Sequence, residues 1–283
     1  MKFIFFGSPE FAAIILEKMI KADLLPQAIV CNPDKPVGKK KIITAPPIKK
    51  LLIEKFKDLK IKIYQPEKIL DVKSQLSDVD CQLFIVAAYA KIISKEILEI
   101  PSLGTIGVHP SLLPKHRGPT PIQTAILNGN EKTGTTLFLM DEKIDHGPIL
   151  AASHLPITTN DDYKTLMRKL AELSANLLIE TLPNIEEKIK NAKPQNESEA
   201  TYTKKFKTED AFIKPEDLEK AQNGLIIDQK IRALNPEPGT FTVIKGKRIK
   251  LLEAKIEDNK LKLVKIQKEG KKPQIINSSI ESL

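Results

Sequence analysis

Along the first half of the chain, apolar positions switch repeatedly between two spacings. The run Lys2–Phe6 is apolar after its first residue and stops at Gly7-Ser8-Pro9, after which Phe11, Ile14, Ile15 and Met19 recur at helical spacing. That pattern predicts a strand, a tight turn and a helix. Gln27–Cys31 is the next short apolar run, and Asn32–Pro47 reads as a long polar loop before Ile48, Leu51, Leu52 and Phe56 on one helical face. A strand near Ile61–Tyr64, a helix near 67–76 and a strand at Gln82–Ala87 continue the order. Short strands alternating with helices predict an α/β fold with a mainly parallel sheet. Parallel strands are covered on both faces, which accounts for the unbroken apolar run Leu83-Phe84-Ile85-Val86-Ala87. Ligands in such sheets bind beyond the carboxyl ends of the strands, so the loops after Phe6, Cys31 and Ala87 become the first site candidates.

From Leu103 onward the texture changes. Thr105–His109 is strand-like, Pro121–Leu127 helical, and Thr133–Met140 and Pro148–Leu155 strand-like again. Thr158–Asp162 supplies capping side chains for a helix whose stripe is Leu166, Leu170, Leu173, Leu177 and Leu178. The polar, aperiodic segment 191–203 reads as a linker between a first domain, 1–190, and a second, 204–283. In the second, a helix near 215–223 and the turn-rich Asn235–Gly239 precede three alternating strands, Phe241–Ile244, Arg248–Ile256 and Lys260–Ile266. A small β-domain with a barrel as its natural closure is expected there.

Composition narrows the class. With 41% hydrophobic and 29% charged residues in 283, the chain has enough apolar material for a sizeable core, which excludes global disorder. No apolar run reaches the ~18 residues of a membrane span, and the start shows no targeting peptide, so a cytoplasmic protein is expected. Cys31 and Cys81 fall in buried strands and read as small hydrophobes, not a disulfide. The net charge is +9, divided between +3 over residues 1–203 (27 basic, 24 acidic) and +6 over residues 204–283 (18 basic, 12 acidic). A basic terminal module on a nearly balanced body predicts a polyanionic partner.

The motifs exclude some chemistry and suggest other. There is no G-x-G-x-x-G and no G-x-x-x-x-G-K-[ST], so nucleotide chemistry of those kinds lacks support. The four histidines show no metal-ligand spacing, and no metal is expected. What remains dense is Gly107-Val108-His109-Pro110-Ser111-Leu112-Leu113-Pro114-Lys115-His116-Arg117-Gly118 and, further on, Asp141-Glu142-Lys143-Ile144-Asp145-His146-Gly147-Pro148. His109 closes a buried strand and a Pro follows it, which pins an imidazole at the ligand-binding edge of the sheet. Asp145, in a Gly/Pro loop between two strands, is the best carboxylate to orient that ring. Spacing alone leaves the bland alternative open: a histidine that ends a strand and an aspartate that makes a turn.

The stretch from Ile106 to Gly118 resembles the N-x-H-x-S-L-L-P-x-x-R-G signature of the 10-formyltetrahydrofolate-dependent formyltransferases, and Ile144-Asp145-His146-Gly147 is similar to their catalytic-aspartate loop. Phe6–Ala13, Pro33-Asp34-Lys35-Pro36, Val86-Ala87-Ala88-Tyr89 and Ile231–Pro236 extend the resemblance, and together they point to the tRNA-directed members, the methionyl-tRNA formyltransferases. The resemblance implies a Rossmann-like catalytic domain followed by an OB-like barrel that contacts tRNA, here abbreviated. It implies transfer of a formyl group from 10-formyltetrahydrofolate, as co-substrate, to the α-amine of methionine on initiator tRNA, by a chain expected to be a monomer. His109 would be the acid/base or electrostatic group, aligned by Asp145. Val86, Ala88, Tyr89, Ser111, Leu112, Leu113 and Pro114 would line the folate pocket, with Asp141 in the loop that closes over it. His116 reads as a stacking or surface residue.

Two features depart from that pattern. Gly107 stands where the signature has Asn, and loss of one oxyanion donor costs on the order of 2.7–4 kcal/mol. A backbone N–H, a water or another side chain would have to replace it. The second departure is the shortened run of strands after residue 241. The lysines Lys39, Lys40 and Lys41 beside Gly38 form a basic loop suited to phosphate contact, while Lys245–Lys272 carries 11 basic and 4 acidic residues, net +7. There Lys245 and Lys247 are expected to share a face with Lys260 and Lys262, and Lys247 with Arg248 to contact the tRNA backbone. Three functions compete: formylation of methionyl-tRNA; formylation of a small amine, such as a nucleotide sugar or glycinamide ribonucleotide, or hydrolysis of the formyl-folate; and a non-catalytic RNA-binding protein with a degenerate site.

Overall fold

The structure, a computed structural model, describes residues 1–38, 40–218, 220–258 and 260–276. The chain divides into two compact units. The first comprises Met1–Arg117, Thr133–Leu155 and Met167–Tyr202, and the second Gly118–Lys132, Pro156–Leu166 and Thr203–Leu283.

The first unit is built on strands β1 (Phe3–Gly7), β2 (Ala28–Val30), β5 (Lys62–Tyr64), β6 (Leu83–Ala87), β7 (Thr105–His109), β8 (Lys132–Leu139) and β9 (Ile149–Pro156), ordered β5-β2-β1-β6-β7-β8-β9. The five from β5 to β7 run parallel, and β8 is antiparallel to β7. Every residue of β1, β6 and β7 is buried, as continuous apolar runs require of strands covered on both sides. Ile4, Phe6, Val30, Phe84 and Val86 share one core with Leu76, Tyr89 and Ile97, and each such side chain removed from water contributes about 1.5–3 kcal/mol. The helix Glu10–Lys21 buries Phe11, Ile15 and Met19 of the expected stripe together with Leu16, while Ile14 is half-buried.

Register decides what emerges at the carboxyl edge. Gly7 pairs with Ala87 and Ala87 with Val108, so the ends of β1 and β6 and the last residue of β7, His109, come out side by side. The polar stretch 32–47 is not simply a loop. Within it β3 (Lys35–Val37) and β4 (Ile42–Thr44) pair as an exposed antiparallel hairpin, with Val37, Ile42 and Ile43 turned to solvent.

The second unit places helix Pro121–Leu127 against helix Gly224–Leu234, so a segment lying between β7 and β8 in sequence groups with the carboxyl-terminal residues. Thr120 fastens it, its N–H donating to Thr203 Oγ1 and its hydroxyl to the carbonyl of Lys204. The helix Gly224–Leu234 itself departs from the expected helix near 215–223, where the chain instead makes one short turn at Pro215–Leu218 and a 3-10 turn at Ala221–Asn223. Strands β10 (Phe241–Ile244), β11 (Lys247–Glu257), β12 (Lys260–Lys268) and β13 (Gln274–Ile275) form a four-stranded antiparallel sheet, consistent with a small OB-like domain. Its apolar face, Ile249, Leu251, Leu263 and Ile266, packs with Ile213, Leu218, Ile227 and Ile231.

The segment 191–203, expected as a linker, belongs as far as Tyr202 to the first unit. Its backbone is bonded in: Lys193 and Ile149 exchange both N–H···O bonds at 2.7 and 3.0 Å, and Arg117 N donates to Thr201 O at 2.8 Å. Those hydrogen bonds replace the apolar period a sequence reader looks for.

Candidate active site

His109 is held from both sides of its ring. It is 6% exposed. Nε2 lies 2.9 Å from the carbonyl oxygen of His116, and Nδ1 lies 3.5 Å from Asp145 Oδ2. A carbonyl cannot donate, so the proton of the first contact resides on Nε2. A neutral ring then turns a lone pair toward the Asp145 carboxylate. Two acceptors face one another across 3.5 Å, a gap suited to a group that can donate to both.

The loop after β7 is fixed by polar contacts. Ser111 Oγ donates to Lys115 O at 2.6 Å, and Thr136 Oγ1 donates to Ser111 O at 2.7 Å while accepting from Leu113 N at 3.1 Å. Ser111 is fully buried, and its hydroxyl is committed to the loop's own backbone. Leu112 remains half-buried, and Leu113 and Pro114 follow at the start of the turn. His116 adopts a left-handed backbone, φ 60°, and its N–H donates to Thr201 Oγ1 at 2.8 Å. Burial first, then the neighbouring His109 and Lys115, push its imidazole below the usual histidine range. It is therefore a half-buried brace for His109, not a surface side chain.

The aspartate loop is bent by necessity. Asp145 itself is left-handed, φ 48°, and Gly147 passes so near Leu139 that a Cβ would fall on its carbonyl oxygen. Asp141, expected to close over the pocket, accepts from Lys143 N at 2.9 Å and contacts His146 Nδ1 at 2.6 Å, so it braces the loop internally. Gln195 Nε2 donates to the carbonyls of Asp145 and Gly147 at 3.0 and 2.8 Å.

Behind these contacts lies Arg117, whose side chain is completely buried. Its guanidinium donates to Gln195 Oε1 at 2.7 and 3.1 Å, to both Glu197 oxygens at 2.6 and 3.0 Å, and to Tyr202 Oη at 3.0 Å. The hydrogen bond to Glu197 raises the guanidinium further and holds that carboxyl below its ordinary range. Sequence reasoning assigned no role to Arg117, Gln195 or Glu197. The R-G that ends the signature motif was the one available signal for the first. Nothing in a polar aperiodic stretch marks the other two.

At the end of β6, Ala88 is exposed with φ 50°, whereas Tyr89 turns inward and sets its ring edge-on to Phe6 at 5.7 Å. Val86 is buried within the strand. Of this group Ala88 and the backbone offer themselves to a ligand, together with Ile92, which is 92% exposed. Gly107 is explained by its neighbour. A Cβ there would meet the Phe138 ring at 2.4 Å and Met140 Cγ at 3.1 Å, so an aromatic side chain occupies the room that an asparagine would need.

The basic residues divide. Lys40 and Lys41 sit exposed at the turn of the β3–β4 hairpin, Lys41 with φ 48°, while Lys39 lies outside the described residues. Arg248 lays its guanidinium 3.7 Å from the Phe241 ring centre and is half-buried. Lys247 does not share a face with Lys260 and Lys262. Between Leu251 and Ala254 each strand of the β11–β12 pair carries an extra residue, Leu252 and Val264, so the apolar face continues through Leu251, Ala254 and Ile256. Lys260 and Lys262 fall on the opposite, charged face with Lys250, Lys255, Lys265, Glu253 and Glu257.

A sequence profile described as formyl transferase matches residues 1–182, and one described as formyl transferase, C-terminal domain, matches residues 213–263. A methionyl-tRNA formyltransferase of Dictyoglomus thermophilum is 42% identical over 260 residues, covering 91% of this chain and 80% of that protein. The chain belongs to the formyl transferase family, among the methionyl-tRNA formyltransferases. A Staphylococcus aureus methionyl-tRNA formyltransferase is similar at 37% identity, covering 92% of this chain and 81% of its own length. Among solved structures, an N-formyltransferase from Helicobacter canadensis with folinic acid and dTDP-3-aminofucose aligns with TM-score 0.64 at 20% identity, over 91% of this chain and 88% of that one. HypX from Aquifex aeolicus with tetrahydrofolic acid aligns with TM-score 0.65 at 16% identity, over 98% of this chain and 46% of that one. Both share the formyltransferase fold. No helix among the described residues of this formyltransferase is long and apolar enough to cross a membrane.

Proposed function

We propose that this formyltransferase moves the formyl group of 10-formyltetrahydrofolate to the α-amine of methionine esterified to initiator tRNA, in the cytoplasm. The observation that carries the reading is the pair of acceptors, His109 Nδ1 and Asp145 Oδ2, facing each other at 3.5 Å at the carboxyl edge of the sheet. The folate supplies an electrophilic formyl carbon. An attacking amine must lose a proton as its nitrogen bonds to that carbon, and the two acceptors are spaced to receive its N–H groups. His109 Nδ1 takes the proton, Asp145 stabilises the imidazolium that results, and the imidazolium returns that proton to folate N10 as the N10–formyl carbon bond breaks and tetrahydrofolate leaves. His116 O keeps the ring from rotating throughout. Because His109 is buried, the proton passes to the ring without competition from bulk water.

Ala88, the backbone of the Ser111–Pro114 turn and exposed Ile92 and Ile144 offer the folate a mixed apolar and amide surface, the composition a pterin pocket needs. Lys40 and Lys41 would meet acceptor-stem phosphates, and the charged face of β11–β12, with five lysines against two glutamates, offers a second electrostatic surface. Incubating the purified protein with 10-formyltetrahydrofolate and either charged tRNA or small amines tests the assignment. Formyl-methionyl-tRNA is the expected product. A formylated small amine, formate alone, or salt-sensitive tRNA binding without product would each replace it with a different function.

A further inference from the structure

The segment 193–202 touches Asp145 directly and reaches His109 through His116. At one end the Lys193–Ile149 bridge brings Gln195 across the aspartate loop, where its amide nitrogen holds the carbonyls of Asp145 and Gly147. At the other end Thr201 O accepts from Arg117 N, Thr201 N donates to Pro114 O at 3.2 Å, and Thr201 Oγ1 accepts from His116 N. His116 is the residue whose carbonyl holds His109 Nε2. The middle is anchored by Arg117, which is completely buried and can only donate, so the Gln195 amide has one possible orientation: oxygen to the guanidinium, nitrogen to the two carbonyls.

We infer that Gln195 is a positioning residue for formyl transfer, the centre of a strap over residues 193–202 that fixes Asp145 relative to His109. Asp145 needs such a restraint. Its left-handed backbone is uncommon for a residue with a Cβ, and rotation of the 145–147 backbone would swing its carboxylate away from His109. A strap that donates to both carbonyls removes that freedom without touching substrate. The inference rests on the assignment of His109 and Asp145 as the proton-handling pair.

Gln195→Glu separates positioning from folding. The variant keeps an acceptor for Arg117 but loses both N–H groups and sets a carboxylate against two carbonyls. Turnover on charged tRNA should fall on the order of 10- to 100-fold, with KM for both substrates within about threefold and the protein still fully folded at the assay temperature. Nitrogen-15 NMR of the His109 ring should show the Nδ1 signal displaced in the free enzyme, a readout independent of activity. Turnover within about twofold of the parent together with an unmoved Nδ1 signal would overturn the inference. Gln195→Ala serves as the second variant: turnover that falls only in proportion to the folded fraction would also count against it. Asp145→Asn is the control for the underlying assignment. If that variant still formylates normally, the dyad reading fails, whereas an inactive Asp145→Asn beside an unaffected Gln195→Glu defeats the strap alone.

Discussion

The corner around His109 and the charged face of the β11–β12 ribbon both depend on ionisable side chains, yet they use them in opposite ways. In the corner, Arg117 is sealed from water and spends its donors on named atoms of Gln195, Glu197 and Tyr202. On the ribbon, Glu257 pairs with Lys262 and Lys255, and all three side chains are about half exposed. The first arrangement is geometric: a displaced atom loses a bond that nothing else can make. The second is electrostatic and screened, so one lysine can stand in for another. The contrast predicts that single substitutions in the corner change stability and turnover, while those on the ribbon add up only through the total field.

The largest expected effect comes from Arg117. Arg117→Met removes five donors from a buried site, strands Gln195 Oε1, and should cost on the order of 3 kcal/mol in urea unfolding, less whatever the half-exposed Glu197 recovers from water. A loss below about 1 kcal/mol would mean that the corner is no more geometric than the ribbon. The same pair has a pH signature. Arg117 depresses the Glu197 carboxyl, so its stabilisation is complete above the unfolded value of about 4.3 and is lost as pH falls through the lower folded value. Wild type and Glu197→Gln should therefore differ most near neutrality and converge in acid. A constant difference down to about pH 3 would remove the pair from the account.

Next comes Gly107. Gly107→Ala drives a methyl into Phe138 and should destabilise by about 1–3 kcal/mol, relieved when Phe138 is made Leu in the same chain. Additive losses in the double variant would show that the two residues are not coupled. This outcome also bears on the donor expected at position 107. The question is not what glycine permits but what the Phe138 ring excludes.

How far these features could be read from sequence follows the same division. β7 and helix Pro121–Leu127 have the bounds their apolar spacing predicts, and Asp162 does cap the long helix, accepting from Thr165 N at 2.7 Å. Strand ends and Gly-rich turns carry local signals that make His109 and Asp145 candidates, and the family resemblance gives them their roles. Arg117, Gln195 and Glu197 were not visible, because a segment held by side-chain hydrogen bonds has no period and resembles a linker. The β3–β4 hairpin was hidden by its three-residue strands and by Pro36. Lys247 lies on the other face from Lys260 and Lys262 because the irregular pairing around Leu252 and Val264 shifts the side-chain parity, a detail set by pairing and not by composition.

The smaller predictions test the electrostatic half. Lys41→Ala should weaken tRNA binding a few-fold and reduce the slope of log affinity against log salt by about 1, with no change in the folate KM. An unchanged slope would take Lys41 off the tRNA. Smallest of all is Lys262→Ala on the ribbon. Its pair with Glu257 is exposed, and its Lys255 neighbour can take over the carboxylate, so the urea midpoint should stay where it is in the parent. Its tRNA affinity should nonetheless drop with a lower salt slope if the ribbon faces the nucleic acid, because removing a charge alters the field even where it leaves the fold alone. A ribbon lysine whose loss unfolds the domain while leaving the salt slope intact would invert the comparison, assigning the geometric role to the surface that is here purely electrostatic.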